Sequence, residues 1–99
     1  MELFRWGSKR HGTVALTAER WNHIRNRHPG LTEPRQHIRE TVQQPDIIER
    51  SLTDADTCLY YKRVDGKYMV VAVQVEEQFI KTAYQTAERK GGEIVWTNR

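Results

Sequence analysis

The chain has 99 residues, 37% hydrophobic and 29% charged, with a formal net charge of +3 and a pI of ≈ 9.2. This length predicts one domain over residues 1–99 with a modest core, and no apolar run approaches the ~20 residues of a transmembrane helix. Cys58 is the only cysteine, which excludes an internal disulfide and fits a reducing, cytoplasmic setting, while the arginine-rich basic balance favours polyanionic partners.

Residues 1–12 are polar and basic, contain two glycines and read as a loose lead-in without the apolar middle of a secretory signal. Thr13–Thr17, TVALT, is β-branched enough for a short strand. Thr17 then caps a helix from Ala18 to Arg27 or His28, which Pro29 and Gly30 end. Thr32 or Glu33 starts a second helix with Pro34 in its first turn, an apolar edge of Leu31, Ile38 and Val42, and Pro45 as its stop. DIIE predicts a short strand. TCLYYKRV and KYMVVAVQV flank Asp65-Gly66, a two-residue hairpin signal of type I′. Pairing across that turn sets Val64 opposite Lys67 and Arg63 opposite Tyr68. Leu59, Tyr61 and Arg63 then share a face with Tyr68, Val70 and Ala72, and Cys58, Tyr60 and Lys62 share the other with Met69, Val71 and Val73. In QFIKTAYQT, strict alternation puts Ile80, Thr82 and Tyr84 on one face and Phe79, Lys81 and Ala83 on the other. AERK reads as a helical turn, Gly91-Gly92 breaks it, and GEIVWT closes as a last strand. Helices followed by strands predict an α+β domain, with N-terminal helices packed on a roughly four-stranded antiparallel sheet. One sheet face is covered and the other is free to bind.

Chemistry concentrates in two stretches. In RWNHIRNRHPGL, a helical wheel puts Thr17, Trp21, Ile24 and His28 on one stripe, and Arg20, His23 and Arg27 on a polar stripe beside it. Trp21 and Ile24 anchor the helix. His28, at its end and facing the sheet, is either a cap for the last carbonyls or a general acid/base. His23 and Arg27 are either a solvated basic face or helpers of His28, and His11 and His37 read as ordinary surface residues. No HExxH, cysteine pair or acidic cluster joins the histidines, so no metal site is predicted, and no glycine-rich phosphate loop or other cofactor signal occurs. Cys58 has no partner that would make it a nucleophile. In FIKTAYQTAERKGG, Thr82 and Tyr84 offer hydroxyls at alternate positions, with Arg89 and Lys90 close behind. The plain reading is a solvent-facing strand. The functional one is a hydroxyl-lined face beside cations, suited to a pentacoordinate phosphate. These residue types suffice for metal-independent RNA cleavage by attack of the 2′-OH on the adjacent phosphate.

His23-Ile24, Arg27-His28-Pro29, Pro45-Asp46, the YYKR and VVAV strands, Lys81-Thr82-Ala83-Tyr84 and the terminal Gly–Trp together resemble the phage-type nucleases of the barnase–EndoU–colicin–RelE superfamily, over about Thr13 to Trp96. The resemblance implies an α+β core of helices on a four-stranded antiparallel sheet. It implies a toxin-like, metal-independent endoribonuclease that acts on RNA such as tRNA or ribosome-bound mRNA, with a neutralising antitoxin or immunity protein and no membrane. Carried onto this chain, it makes His28 the acid/base, His23 and Arg27 its helpers, and Thr82 and Lys81 the strand hydroxyl and cation. Tyr84 stacks on or hydrogen-bonds a nucleotide. The residue reading itself adds Arg63, Arg89 and Lys90 as substrate-binding cations.

Two other classes compete. A non-catalytic nucleic-acid-binding module would expose bases and aromatics without a convergent acid/base pair. A structural or interaction domain would bury and satisfy His28 and pair Arg27 with Glu33 or Glu49.

Overall fold

The computed structural model describes residues 1–98. Strands β1 (Glu2–Gly7) and β2 (Thr13–Thr17) come first, then helices α1 (Ala18–Arg27) and α2 (Pro34–Gln43). Five strands follow: β3 (Ile47–Arg50), β4 (Thr57–Val64), β5 (Lys67–Gln74), β6 (Phe79–Thr86) and β7 (Glu93–Thr97). All seven join one sheet in the order β1-β2-β6-β5-β4-β3-β7. Every pairing is antiparallel except β2 with β6, which meet in parallel at Ala15 and Phe79.

This corrects the expected architecture. The molecule is mostly sheet, a mixed seven-stranded one with two short helices, and not a set of helices on a four-stranded antiparallel sheet as in the barnase–RelE superfamily. The extra strands come from both ends of the chain. Residues 2–7, read as lead-in, form β1, because Phe4 and Trp6 alternate inward while Arg5 and Gly7 stay exposed. AERK forms no helical turn and lies in an irregular connection.

The local signals operate as their chemistry dictates. Thr17 Oγ1 accepts from the Arg20 N–H at 3.2 Å and caps α1. Pro34 opens α2 after Glu33, which takes left-handed geometry at φ 44. Asp65 and Gly66, at φ 53 and 80, make the β4–β5 turn, and Val64 pairs with Lys67 and Arg63 with Tyr68. Ile24 from α1 and Ile38 and Val42 from α2 pack onto one sheet face against Val14, Leu16, Tyr60, Met69, Val71 and Ile80. Each such fully buried aliphatic side chain contributes roughly 1.5–3 kcal/mol over an exposed one.

The opposite face carries a smaller cluster of Leu59, Tyr61, Val70 and Ala72, flanked by Ile47, Tyr68 and Tyr84. It is not free. The chain from β6 must reach β7 beyond β5, β4 and β3, so residues 87–92 cross this face. The Lys90 N–H donates to the Tyr61 hydroxyl at 3.0 Å, and the Gly92 N–H donates to Glu49 Oε1 at 3.3 Å. A Cβ at Gly92 would run into the Arg50 carbonyl oxygen, so only glycine lets the crossing chain lie this close.

Candidate functional site

α1 delivers His28 to the uncovered flank of β6. Pro29 stops the helix, and His28 takes φ −132 and ψ 63 with its N–H donating to the Ile24 carbonyl at 2.9 Å. Its own carbonyl accepts from Leu31 at 3.2 Å, so the backbone is held on both sides. β2 and β6 touch at one residue pair only, which leaves the Thr82–Thr86 end of β6 open toward α1. There the His28 ring meets Tyr84 with centroids 5.8 Å apart and planes tilted by 33°. His28 also borders a cavity of ≈ 200 Å³, with Ile24, Arg25, Pro29, Leu31 and Pro34. The imidazole forms no hydrogen bond among the described residues, so its nitrogens are available to a ligand.

Two pKa displacements mark this pair. His28 titrates below the ordinary imidazole value, through partial burial first and then the positive charges of Arg27 and His23. Tyr84 titrates above the ordinary phenol value, through burial first and then the Glu49 carboxylate. Near neutral pH the site therefore presents a neutral imidazole and a protonated phenol. Lys90 adds a cation, with Nζ 5.7 Å from the Tyr84 ring centroid. Arg27 is exposed and has no carboxylate partner among the described residues, and His23 is half-buried beside it on α1.

The other predicted site residues lie apart from this pair. β6 carries a bulge between its pairings with Ala72 and Val73, so Lys81 is the extra residue there. Thr82 and Tyr84 keep to the face crossed by residues 87–92, and Ile80 and Ala83 pack in the helix-side core. This corrects the strict alternation, which put Ile80 with Thr82 and Lys81 with Ala83. Lys81 turns to the same face as Thr82, and Nζ donates to Asp54 Oδ2 at 3.1 Å and Thr57 Oγ1 at 3.2 Å. It pins the β3–β4 connection. Asp54, which also accepts from the Asp56 N–H and the Thr57 hydroxyl, titrates below the usual carboxylate value. The Thr82 hydroxyl makes no hydrogen bond among the described residues. Arg63 lies over the Tyr68 ring at 5.0 Å. Arg89 pairs with Glu49.

The sequence reading offered Glu49 only as a partner for Arg27 and gave Tyr61 only a place on a strand face; their link to each other and to Arg89 escaped it. Glu49 is fully buried, paired with Arg89, and accepts from the Tyr61 hydroxyl at 3.0 Å. Burial is the largest of the causes that push the Tyr61 phenol far up. The one available signal was an acid in a β-branched run, IIER, which must find a partner if that strand is buried.

No group of three or more His, Cys, Asp or Glu side chains is placed to hold a metal ion among the described residues. No helix there is long and apolar enough to cross a membrane. Set against family models, curated proteins and solved structures, the chain matches none of them.

Proposed function

We propose that this domain is an endoribonuclease that works without a metal ion, with His28 as its acid/base and Tyr84 and Lys90 at the scissile phosphate. The observation that carries this reading is the juxtaposition of an unbonded His28 ring with Tyr84 at 5.8 Å, at the mouth of a cavity and beside a lysine. The proposal rests on this geometry and not on a shared fold. A neutral imidazole takes the proton of the ribose 2′-OH. The 2′-oxygen attacks phosphorus, the bond to the 5′-oxygen breaks, and a proton returns to that leaving oxygen. In this reading the Tyr84 phenol donates that proton and the imidazolium of His28 restores it, while Lys90 and Arg27 offset the charge that builds on phosphate. The product is a 2′,3′-cyclic phosphate and a 5′-hydroxyl. In this reading Thr82, one strand alternation from Tyr84, supplies a neighbouring hydroxyl, and His23 tunes His28.

Two observations argue against a purely structural role for the histidine. Among the described residues its ring forms no hydrogen bond, and Arg27 pairs with neither Glu33 nor Glu49. The test is incubation of the purified chain with total RNA and tRNA in excess EDTA, beside His28→Ala and Tyr84→Phe. We expect cleavage to cyclic-phosphate ends, reduced about 10²–10⁴-fold in His28→Ala. Cleavage that His28→Ala leaves intact, or no cleavage of any RNA offered, would sink the proposal.

A further inference from the structure

The ribonuclease reading leaves one large feature unused. Between α1 and α2, on the helix side of the sheet, runs a groove of ≈ 810 Å³ bordered by Trp21, Arg25, Glu33, Arg35, Arg39 and Glu40. That volume falls in the ~300–1,000 Å³ range of ligand sites. Three arginines and two glutamates line it, and Arg39 Nε donates to Gln43 Oε1 at 3.4 Å. None of the three arginines forms a salt bridge among the described residues, and Glu40 is engaged by the Gln36 amide at 3.0 Å.

Aromatic rings steady two of these arginines. Arg25 lies 5.7 Å from the Trp21 ring centroid and Arg35 lies 4.5 Å from that of Phe4. Phe4 in turn meets Trp21 edge-on at 5.8 Å. Stacking on a ring face orients a guanidinium and leaves its N–H edge open for a bidentate phosphate contact. Trp21 is half-buried and presents part of its ring to the groove. The groove also leads somewhere. Arg25 and Pro34 border both it and the cavity at His28, so the two spaces adjoin.

We infer that the α1–α2 groove holds the sugar–phosphate backbone of single-stranded RNA, with Arg25, Arg35 and Arg39 on successive phosphates and Trp21 as a base-stacking surface, and that it feeds the strand to His28. The assignment rests on the ribonuclease reading for its direction, toward His28. The arginine excess and the half-buried indole that borders the groove select a nucleic-acid strand.

The test separates binding from chemistry. The probe is a fluorescein-labelled 2′-O-methyl oligoribonucleotide of about 12 residues, which cannot be cleaved because its 2′-oxygens are blocked. Anisotropy titrations run from low to high salt with wild type, the triple variant Arg25→Gln/Arg35→Gln/Arg39→Gln, each single variant, and Lys67→Gln at the exposed β4–β5 turn as a charge control. Loss of three phosphate contacts lowers the slope of log K against log salt by about 2, at ~0.7 per single-strand contact. We expect that change and at least a tenfold loss of affinity in the triple variant, about a third of the slope change in each single variant, and no change in Lys67→Gln. The single variants keep the test open if the triple variant does not fold. Unchanged slopes, no binding by wild type, or tighter binding of a glutamate-rich peptide of the same length would each overturn the groove assignment. Wild type that binds through these arginines yet cleaves no RNA would remove the nuclease reading alone. Cleavage that survives with the arginines irrelevant to binding would remove the groove alone.

Discussion

Arg89→Ala isolates the chemistry that closes the crossed sheet face. Glu49 is 0% exposed and the Arg89 side chain 30% exposed, so the substitution leaves a buried carboxylate facing the end of a truncated side chain. Removing one partner of a buried ion pair costs ~3–5 kcal/mol. Two features move the expectation to the low end of that range. Arg89 is partly solvated already, and Glu49 keeps its hydrogen bonds from the Tyr61 hydroxyl at 3.0 Å and the Gly92 N–H at 3.3 Å. We expect a loss of about 3 kcal/mol, a large share of the ~5–15 kcal/mol that holds a domain together. For a domain of this size that lowers Tm by roughly 12–24 °C. Urea melts of wild type, Arg89→Ala, Glu49→Gln and the double variant give the coupling between the two sites. Glu49→Gln in the Arg89→Ala background removes the stranded charge and recovers a large part of the loss. A deficit below about 1 kcal/mol in Arg89→Ala, the range of solvated surface pairs, would refute the reasoning, as would strictly additive single and double variants.

The same crossing makes Gly92 and Gly30 unequal. Gly92→Ala drives a methyl group into the Arg50 carbonyl oxygen and lowers stability by about 1–3 kcal/mol, whereas Gly30, with open space around its missing Cβ, tolerates alanine within about 0.5 kcal/mol in the same urea melts. Stability also depends on pH through His11 and His28, both depressed in the folded chain, chiefly by burial. Between the folded values and the unfolded value of about 6.5 the unfolded chain binds more protons, so this contribution is complete above pH ~6.5 and declines as pH falls below it. Urea midpoints at pH 5 and 7.5 check the direction, and a higher midpoint at pH 5 would contradict it.

Local elements were legible where one residue type has one strong reason to be where it is. Thr17 before a helical run, Pro34 at a first turn and Asp65-Gly66 between two β-branched runs each gave the right boundary, and the Asp65-Gly66 turn gave the β4–β5 register residue by residue. His28 at the sheet-facing end of α1 was legible for the same reason, since Pro29 and the Trp21–Ile24 stripe act within a few residues. What escaped depends on partners far away in the chain. Phe4 and Trp6 alternate, but a six-residue β1 is persuasive only once β2 is seen beside it. The bulge at Lys81 has no local signature, and that one extra residue reversed the assignment of Lys81 from the Ala83 face to the Thr82 face. Arg89 and Lys90 read as a pair of free cations, yet burial of Glu49, some 40 residues earlier, commits the first and leaves the second beside Tyr84.

The route of residues 87–92 also sets where the fold can open locally. β7 pairs with β3 at the edge of the sheet, where Ile47 lies opposite Thr97, and the segment leading to it lies against Tyr61 and Glu49. A segment near a sheet edge opens at lower free energy than the central strands. We expect the Lys90 and Gly92 amides to exchange hydrogen faster than those of β4 and β5, through a local opening that wets Glu49 and leaves the helix-side core in place.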